Sequence, residues 1–157
     1  MRQLSGLLES LVDWLQARWA SRRARILVIG DFEPYLDLLM DTLRAAGYRP
    51  DPVHPSFALQ AVANGRYHVV VSGLSMPWLS GFELLNAVRA TSPRTQVILL
   101  SGEANGKRAG EAVQRGALAV LDKRAMENLR RWVTQALEHT LTPAPAPRPV
   151  PIPVRIH

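Results

Sequence analysis

The chain has 157 residues, 47% hydrophobic and 20% charged, values of an ordinary globular domain rather than of a disordered polymer. It has no cysteine, which excludes disulfides, thiolate zinc sites and cysteine nucleophiles. The net charge of +6 is unevenly placed: residues 1–25 carry +3, residues 26–141 only +1 from twelve basic and eleven acidic side chains, and residues 142–157 carry +2. A basic excess points to nucleic acid, an acidic membrane face or an acidic protein. Here it marks two extensions of a nearly neutral centre.

Residues 1–25 predict an amphipathic helix. Leu4, Leu8, Leu11 and Leu15 recur at spacings of four and three, and Leu7, Trp14 and Trp19 widen the stripe. Glu9 and Asp13 interrupt any signal-peptide core, and the segment is too polar to span a bilayer. Three roles stay open: packing back on its own domain, pairing with a second copy or a partner through a coiled-coil-like seam, and lying on a membrane surface. Arg18, Arg22, Arg23 and Arg25 would serve nucleic acid, although an arginine cluster at a helix end also suits the helix dipole.

Residues 26–141 alternate strand and helix. A buried-strand run at Ile26-Leu-Val-Ile-Gly30 precedes a helix from Pro34 to Ala46, which Gly47 stops. Tyr48 to Val53 predicts an edge or irregular strand, because Pro50 and Pro52 cannot donate to a ladder. Ser56 is read as the cap of a helix that Gly65 ends, and Tyr67 to Gly73 as the next strand. A helix from Ser80 to Ala90, a strand from Gln96 to Ser101, a helix from Gly106 to Arg115, a strand from Ala117 to Leu121 and a helix from Ala125 to Leu141 follow. Five strands alternating with five helices favour an α/β fold with a doubly wound parallel sheet. Residues 142–157, with proline at every second position from Pro143 to Pro153, predict an extended arm, a spacer or a ligand for a groove.

The segments Ile26-Leu-Val-Ile-Gly-Asp-Phe-Glu-Pro34, Leu74-Ser-Met-Pro77 with Gly81, Val97-Ile-Leu-Leu-Ser101, and Gly116-Ala117 ahead of Lys123 together resemble the CheY-like receiver domain of response regulators. The resemblance implies a flavodoxin-like five-stranded sheet in the order 2-1-3-4-5. It also implies a site in which an aspartate ending the third strand accepts a phosphoryl group, acidic residues after the first strand hold Mg²⁺, and a hydroxyl and a lysine contact the phosphoryl oxygens. Such chemistry needs a carboxylate nucleophile together with a hard cation and fixed donors.

Matched residue by residue, the acidic pair is Gly30 and Asp31, the acceptor position is Gly73, the hydroxyl position is Ser101 and the lysine is Lys123. Glycine supplies neither nucleophile nor metal ligand, so a degenerate pseudo-receiver is expected, not an enzyme, with no cofactor and with Mg²⁺ binding weak or lost. Ser72 neighbours the acceptor but strand alternation turns it away. Val120 stands at the family's switch aromatic, and Arg124 replaces the proline that commonly follows the lysine, which predicts a trans link. Asp31 and Lys123 either pair directly across the strand ends or stay solvated.

The expected function is cytoplasmic signal transduction by protein–protein interaction, independent of aspartyl phosphorylation, with nucleic-acid regulation or phosphorylation at an unusual residue as alternatives. The expected partners are proteins of a signalling pathway. A second copy would dock through the N-terminal helix or through the face of the fourth helix, fifth strand and fifth helix. Trp78, Arg108, Arg115, Arg124 and Trp132 are the contact candidates there, set against a simply solvated or buried role.

Overall fold

The computed structural model describes residues 6–12, 24–31 and 33–141. Leu4, Trp14, Leu15, Trp19, Arg18, Arg22, Arg23 and the proline arm lie outside the described residues. The elements run β1 (Ile26–Ile29), α1 (Glu33–Ala45), β2 (Pro50–Val53), a 3-10 turn (Pro55–Phe57), α2 (Ala58–Asn64), β3 (Val69–Gly73), α3 (Gly81–Thr91), β4 (Gln96–Ser101), α4 (Lys107–Gln114), β5 (Ala119–Asp122) and α5 (Met126–Leu141). All pairings are parallel and the strand order is β2-β1-β3-β4-β5, the flavodoxin-like order.

The apolar strand runs are buried on both faces, as a parallel sheet covered by helices requires. Ile26, Val28, Val69, Val71, Ile98 and Leu100 face α1 and α5 and meet Leu39, Leu43, Leu129 and Val133. Leu27, Ile29, Val70, Val97 and Leu99 face the other way, against Val62, Leu84, Leu85, Val88 and Ala112 of α2, α3 and α4. Each Leu, Ile or Val so buried contributes roughly 1.5–3 kcal/mol. The proline-bearing β2 takes the sheet edge, where missing amides cost least.

Two glycines close helices as expected of left-handed caps. Gly47 (φ 93°) and Gly116 (φ 112°) follow α1 and α4. In each case the amide of the next residue reaches back to the helix: Tyr48 N–H donates to the Leu43 carbonyl at 3.1 Å and Ala117 N–H to the Ala112 carbonyl at 3.0 Å. Gly65 works differently. Its φ of −98° is open to any residue, but a Cβ there would collide with the Tyr67 ring.

Two local expectations are corrected. Ser56 does not cap α2: it lies inside the 3-10 turn, where His54 Nδ1 accepts its amide at 3.2 Å, and α2 starts after Phe57 without a side-chain cap. The last strand begins at Ala119, not Ala117, because Gly116 and Ala117 are spent closing α4. Residues 6–12, the described part of the predicted N-terminal helix, are helical. Leu7, Leu8, Leu11 and Val12 are 67%, 61%, 51% and 47% exposed.

Candidate functional site

Parallel strands bring their C-terminal ends to one edge, and that edge collects the residues singled out in the sequence. Gly73 ends β3 in register with Leu100, Ser101 ends β4 in register with Asp122, Gly30 and Asp31 follow β1, and Lys123 follows β5. The Lys123 amide donates to the Ser101 carbonyl at 3.0 Å and the Gly30 amide to the Val53 carbonyl at 3.2 Å.

Both glycines at this edge lie under apolar side chains. A Cβ built at position 73 would stand 3.0 Å from Met76 Cγ, and one at position 30 would stand 3.3 Å from Leu36 Cδ1. Met76 is positioned by Ser72, which is fully buried; the Ser72 hydroxyl donates to the Gly73 carbonyl at 3.2 Å and lies 3.6 Å from Met76 Sδ. Ser72 thus faces inward and braces the cover over Gly73. The covering of the glycines by Leu36 and Met76 was not legible in the sequence, since it depends on how the chain turns after β1 and β3.

Asp31 and Lys123 do not form a direct ion pair. The ion pairs Arg44–Asp41, Arg115–Glu111 and Arg124–Asp122 form elsewhere. Both Asp31 and Lys123 are exposed, and the lysine ammonium lies 5.8 Å from the centre of the Tyr35 ring. The Tyr35 hydroxyl donates to the Lys123 carbonyl at 3.4 Å. Its burial, and secondarily the charge of Asp122, push its pKa up to about 12, so it stays protonated and a donor. The Lys123–Arg124 link is trans, and the turn is held by Asp122, whose carboxylate accepts the Arg124 amide at 2.8 Å.

Ser101 is half-buried and its hydroxyl oxygen accepts the Glu103 amide at 3.0 Å. Beside it opens a cavity of about 360 Å³ lined by Ser75, Ser101, Glu103, Lys107, Arg108 and Lys123 over a floor of Leu74 and Leu100. Val120 packs partly buried against the core on the α2–α4 side.

The interaction candidates separate. Trp78 is 65% exposed in the loop after β3, with its ring 5.9 Å from that of His54. Trp132 is half-buried against the α1–α5 core. Arg108 and Arg115 turn toward α3, their guanidinium carbons 5.5 and 4.9 Å from the centre of the Phe82 ring, and Arg124 is exposed at the β5–α5 turn. Among the described residues, no helix is long and apolar enough to cross a membrane.

The family model described as the response regulator receiver domain matches residues 26–134. The response regulator protein FleR of Pseudomonas aeruginosa is 31% identical over 101 residues, which are 64% of this chain and 21% of FleR. The chain therefore spans about a fifth of that relative's length. The signal receiver domain of an HD domain-containing protein from Pseudomonas fluorescens Pf-5 is 28% identical, with a TM-score of 0.68 over 77% of this chain and 99% of that one. The receiver domain of the Francisella response regulator 1452 shares the fold at 23% identity, with a TM-score of 0.69 over 75% of this chain and 99% of that one. The family match over residues 26–134 and the sheet order agree: the chain belongs to the response regulator receiver domain family, the signalling modules of two-component systems.

Proposed function

We propose that this receiver domain is a pseudo-receiver, a non-enzymatic module that signals by binding protein partners without aspartyl phosphorylation. The observation that carries the reading is the pair of covered glycines. Positions 30 and 73 lack carboxylates, and a Cβ at either would press against Leu36 Cδ1 or Met76 Cγ. The residues at the edge do not fit a Mg²⁺ ion. Magnesium binds through oxygen ligands in near-octahedral geometry, and the matched set retains only Asp31. Among the described residues no cluster of three His, Cys, Asp or Glu takes its place.

A serine substitute is disfavoured chemically. Ser72, next to the acceptor position, is fully buried with its hydroxyl turned to the Gly73 carbonyl, and no histidine or carboxylate bonds to it as a base. The domain division into a helix over 1–25, a receiver-like unit over 26–141 and an arm over 142–157 is part of the same proposal. So are cytoplasmic localisation and the extensions as partner-binding parts, with Leu8 and Leu11 exposed in the helical stretch. Calorimetric titration of the full chain with MgCl₂ tests the metal side of the reading. The expected result is no saturable heat at millimolar Mg²⁺; saturable binding abolished by Asp31→Asn would overturn it.

A further inference from the structure

Each of the five strands is entered through a short segment that carries one arginine and no acidic side chain: Arg25 before β1, Arg49 before β2, Arg66 before β3, Arg94 before β4 and Arg115 before β5. All five are exposed. The strand order sets them in the row Arg49, Arg25, Arg66, Arg94, Arg115, along the edge opposite the rim that holds Asp31, Ser101 and Lys123. At a strand spacing of about 4.8 Å the row spans roughly 20 Å, about two to three Debye lengths at physiological salt, so neighbouring charges reinforce one another. Backbone bonds keep the loops in place: the His68 amide donates to the Arg25 carbonyl at 2.8 Å and the Gln96 amide to the His68 carbonyl at 3.0 Å. Asp41, Asp51, Glu111 and Glu138 stand on the adjoining parts of α1, β2, α4 and α5. Asp41 and Glu111 pair with Arg44 and Arg115, and Asp51 accepts the Tyr67 hydroxyl at 3.1 Å. The loops at the rim are balanced instead, Asp31 and Glu103 against Lys123 and Arg124.

Both basic extensions join the domain at the arginine edge. Residues 1–25 enter through Arg25, and α5 returns along the sheet to the same end, where the hydroxyls of Tyr48, ahead of β2, and Thr134 bond at 2.9 Å and Ala24 shares a core cluster with Leu137. The helix dipole favours a cation after each of α1 to α4. It does not account for what the first extension carries, an exposed apolar stretch of Leu7, Leu8, Leu11 and Val12 on a helix.

We propose that this edge, together with residues 1–25, docks on an anionic lipid surface, with the leucine stripe at the acyl boundary and the arginine row against the headgroups. A basic row alone would suit nucleic acid equally. The exposed leucines decide, because a phosphate backbone offers them no apolar surface, whereas a bilayer interface does. Apolar insertion combined with electrostatic attraction is what holds interfacial helices on anionic bilayers. Docked in this way, the rim of strand ends points away from the membrane and stays open to protein partners. The inference does not depend on the absence of aspartyl phosphorylation, so it stands or falls separately from the preceding reading.

Flotation of the full chain with vesicles at about 0.15 M KCl tests it. Vesicles of equal parts phosphatidylserine and phosphatidylcholine are compared with vesicles of phosphatidylcholine alone, and a duplex DNA is titrated at the same salt. The expected result is saturable binding to the mixed vesicles and binding at least about tenfold weaker to phosphatidylcholine and to DNA. Arg49→Gln, Arg66→Gln and Arg94→Gln combined are expected to weaken vesicle binding roughly hundredfold, the scale of three cations near an anionic surface. Arg49→Lys, Arg66→Lys and Arg94→Lys combined are expected to retain it. Leu8→Ser with Leu11→Ser, both at exposed positions, is expected to weaken it about tenfold or more. The proposal is overturned by absence of saturable binding to the mixed vesicles, by equal binding to both vesicle types, or by tighter binding to DNA. Vesicle binding that the glutamine or serine substitutions leave unchanged, or that the lysine substitutions abolish, overturns it equally.

Discussion

Ser72 is the one buried polar side chain recorded among the described residues, and its hydroxyl is spent locally on Gly73 and Met76. Replacing it with alanine removes that brace. Ser72→Ala is expected to lose about 1 kcal/mol in urea denaturation, the net value of one such hydrogen bond, and to leave the secondary structure intact. His68 makes a second residue-scale prediction. Its Nδ1 accepts the Arg25 amide at 2.9 Å, which requires an unprotonated ring nitrogen. Burial, and then the charge of Arg25, lower its pKa below the ordinary value of about 6.5. The unfolded chain therefore takes up a proton here first as pH falls, so this residue contributes a loss of stability between about pH 6.5 and its lower folded value. His68→Asn, whose amide oxygen can accept the same bond, is expected to flatten that part of the stability profile while leaving stability at pH 8 nearly unchanged. At this scale the sequence was only partly legible. The glycines at positions 30 and 73 were visible in the motif, but their covering by Leu36 and Met76 was not, since side-chain packing depends on loop geometry that no local pattern encodes.

Most elements of the fold were set by local signals. The apolar runs at Ile26–Ile29 and Gln96–Ser101 and the glycine stops reappear in the structure, which adds a cap to α3, with Ser80 Oγ accepting the Glu83 amide at 3.1 Å. Ser80→Ala is expected to cost about 1 kcal/mol by the loss of that cap, measured by thermal or urea unfolding. Gly116 is the more demanding position. It combines a φ of 112° with the Arg89 side chain lying where a Cβ would project. Gly116→Ala is expected to cost more than the roughly 1 kcal/mol of a helix-interior glycine change, because strain and displacement of Arg89 add to each other. The misread starts of α2 and β5 have one cause. In each, a tight hydrogen-bonded turn, His54 to Phe57 or Gly116 to Ala117, consumes residues whose types also suit the neighbouring element. Capping propensity alone does not separate a serine inside a 3-10 turn from one that starts a helix.

At the scale of the whole molecule, the parallel order β2-β1-β3-β4-β5 follows from the alternation of strands and helices together with the prolines that confine β2 to an edge. The same topology places Asp31, Gly73, Ser101 and Lys123 at one rim, so the location of the candidate site was legible from the sequence once the elements were in order. The direction of its electrostatics was less so. Arg108, a contact candidate with Arg115 and Arg124, is exposed and also donates to Ser75 Oγ at the wall of the cavity. The net basic excess, by contrast, resides on the two extensions. The central claim is that signalling by this domain does not pass through a phosphoaspartate. It is tested most directly by intact-mass measurement of the full chain after incubation with acetyl phosphate and MgCl₂: the account predicts a single unmodified mass, and an added phosphoryl mass would contradict it.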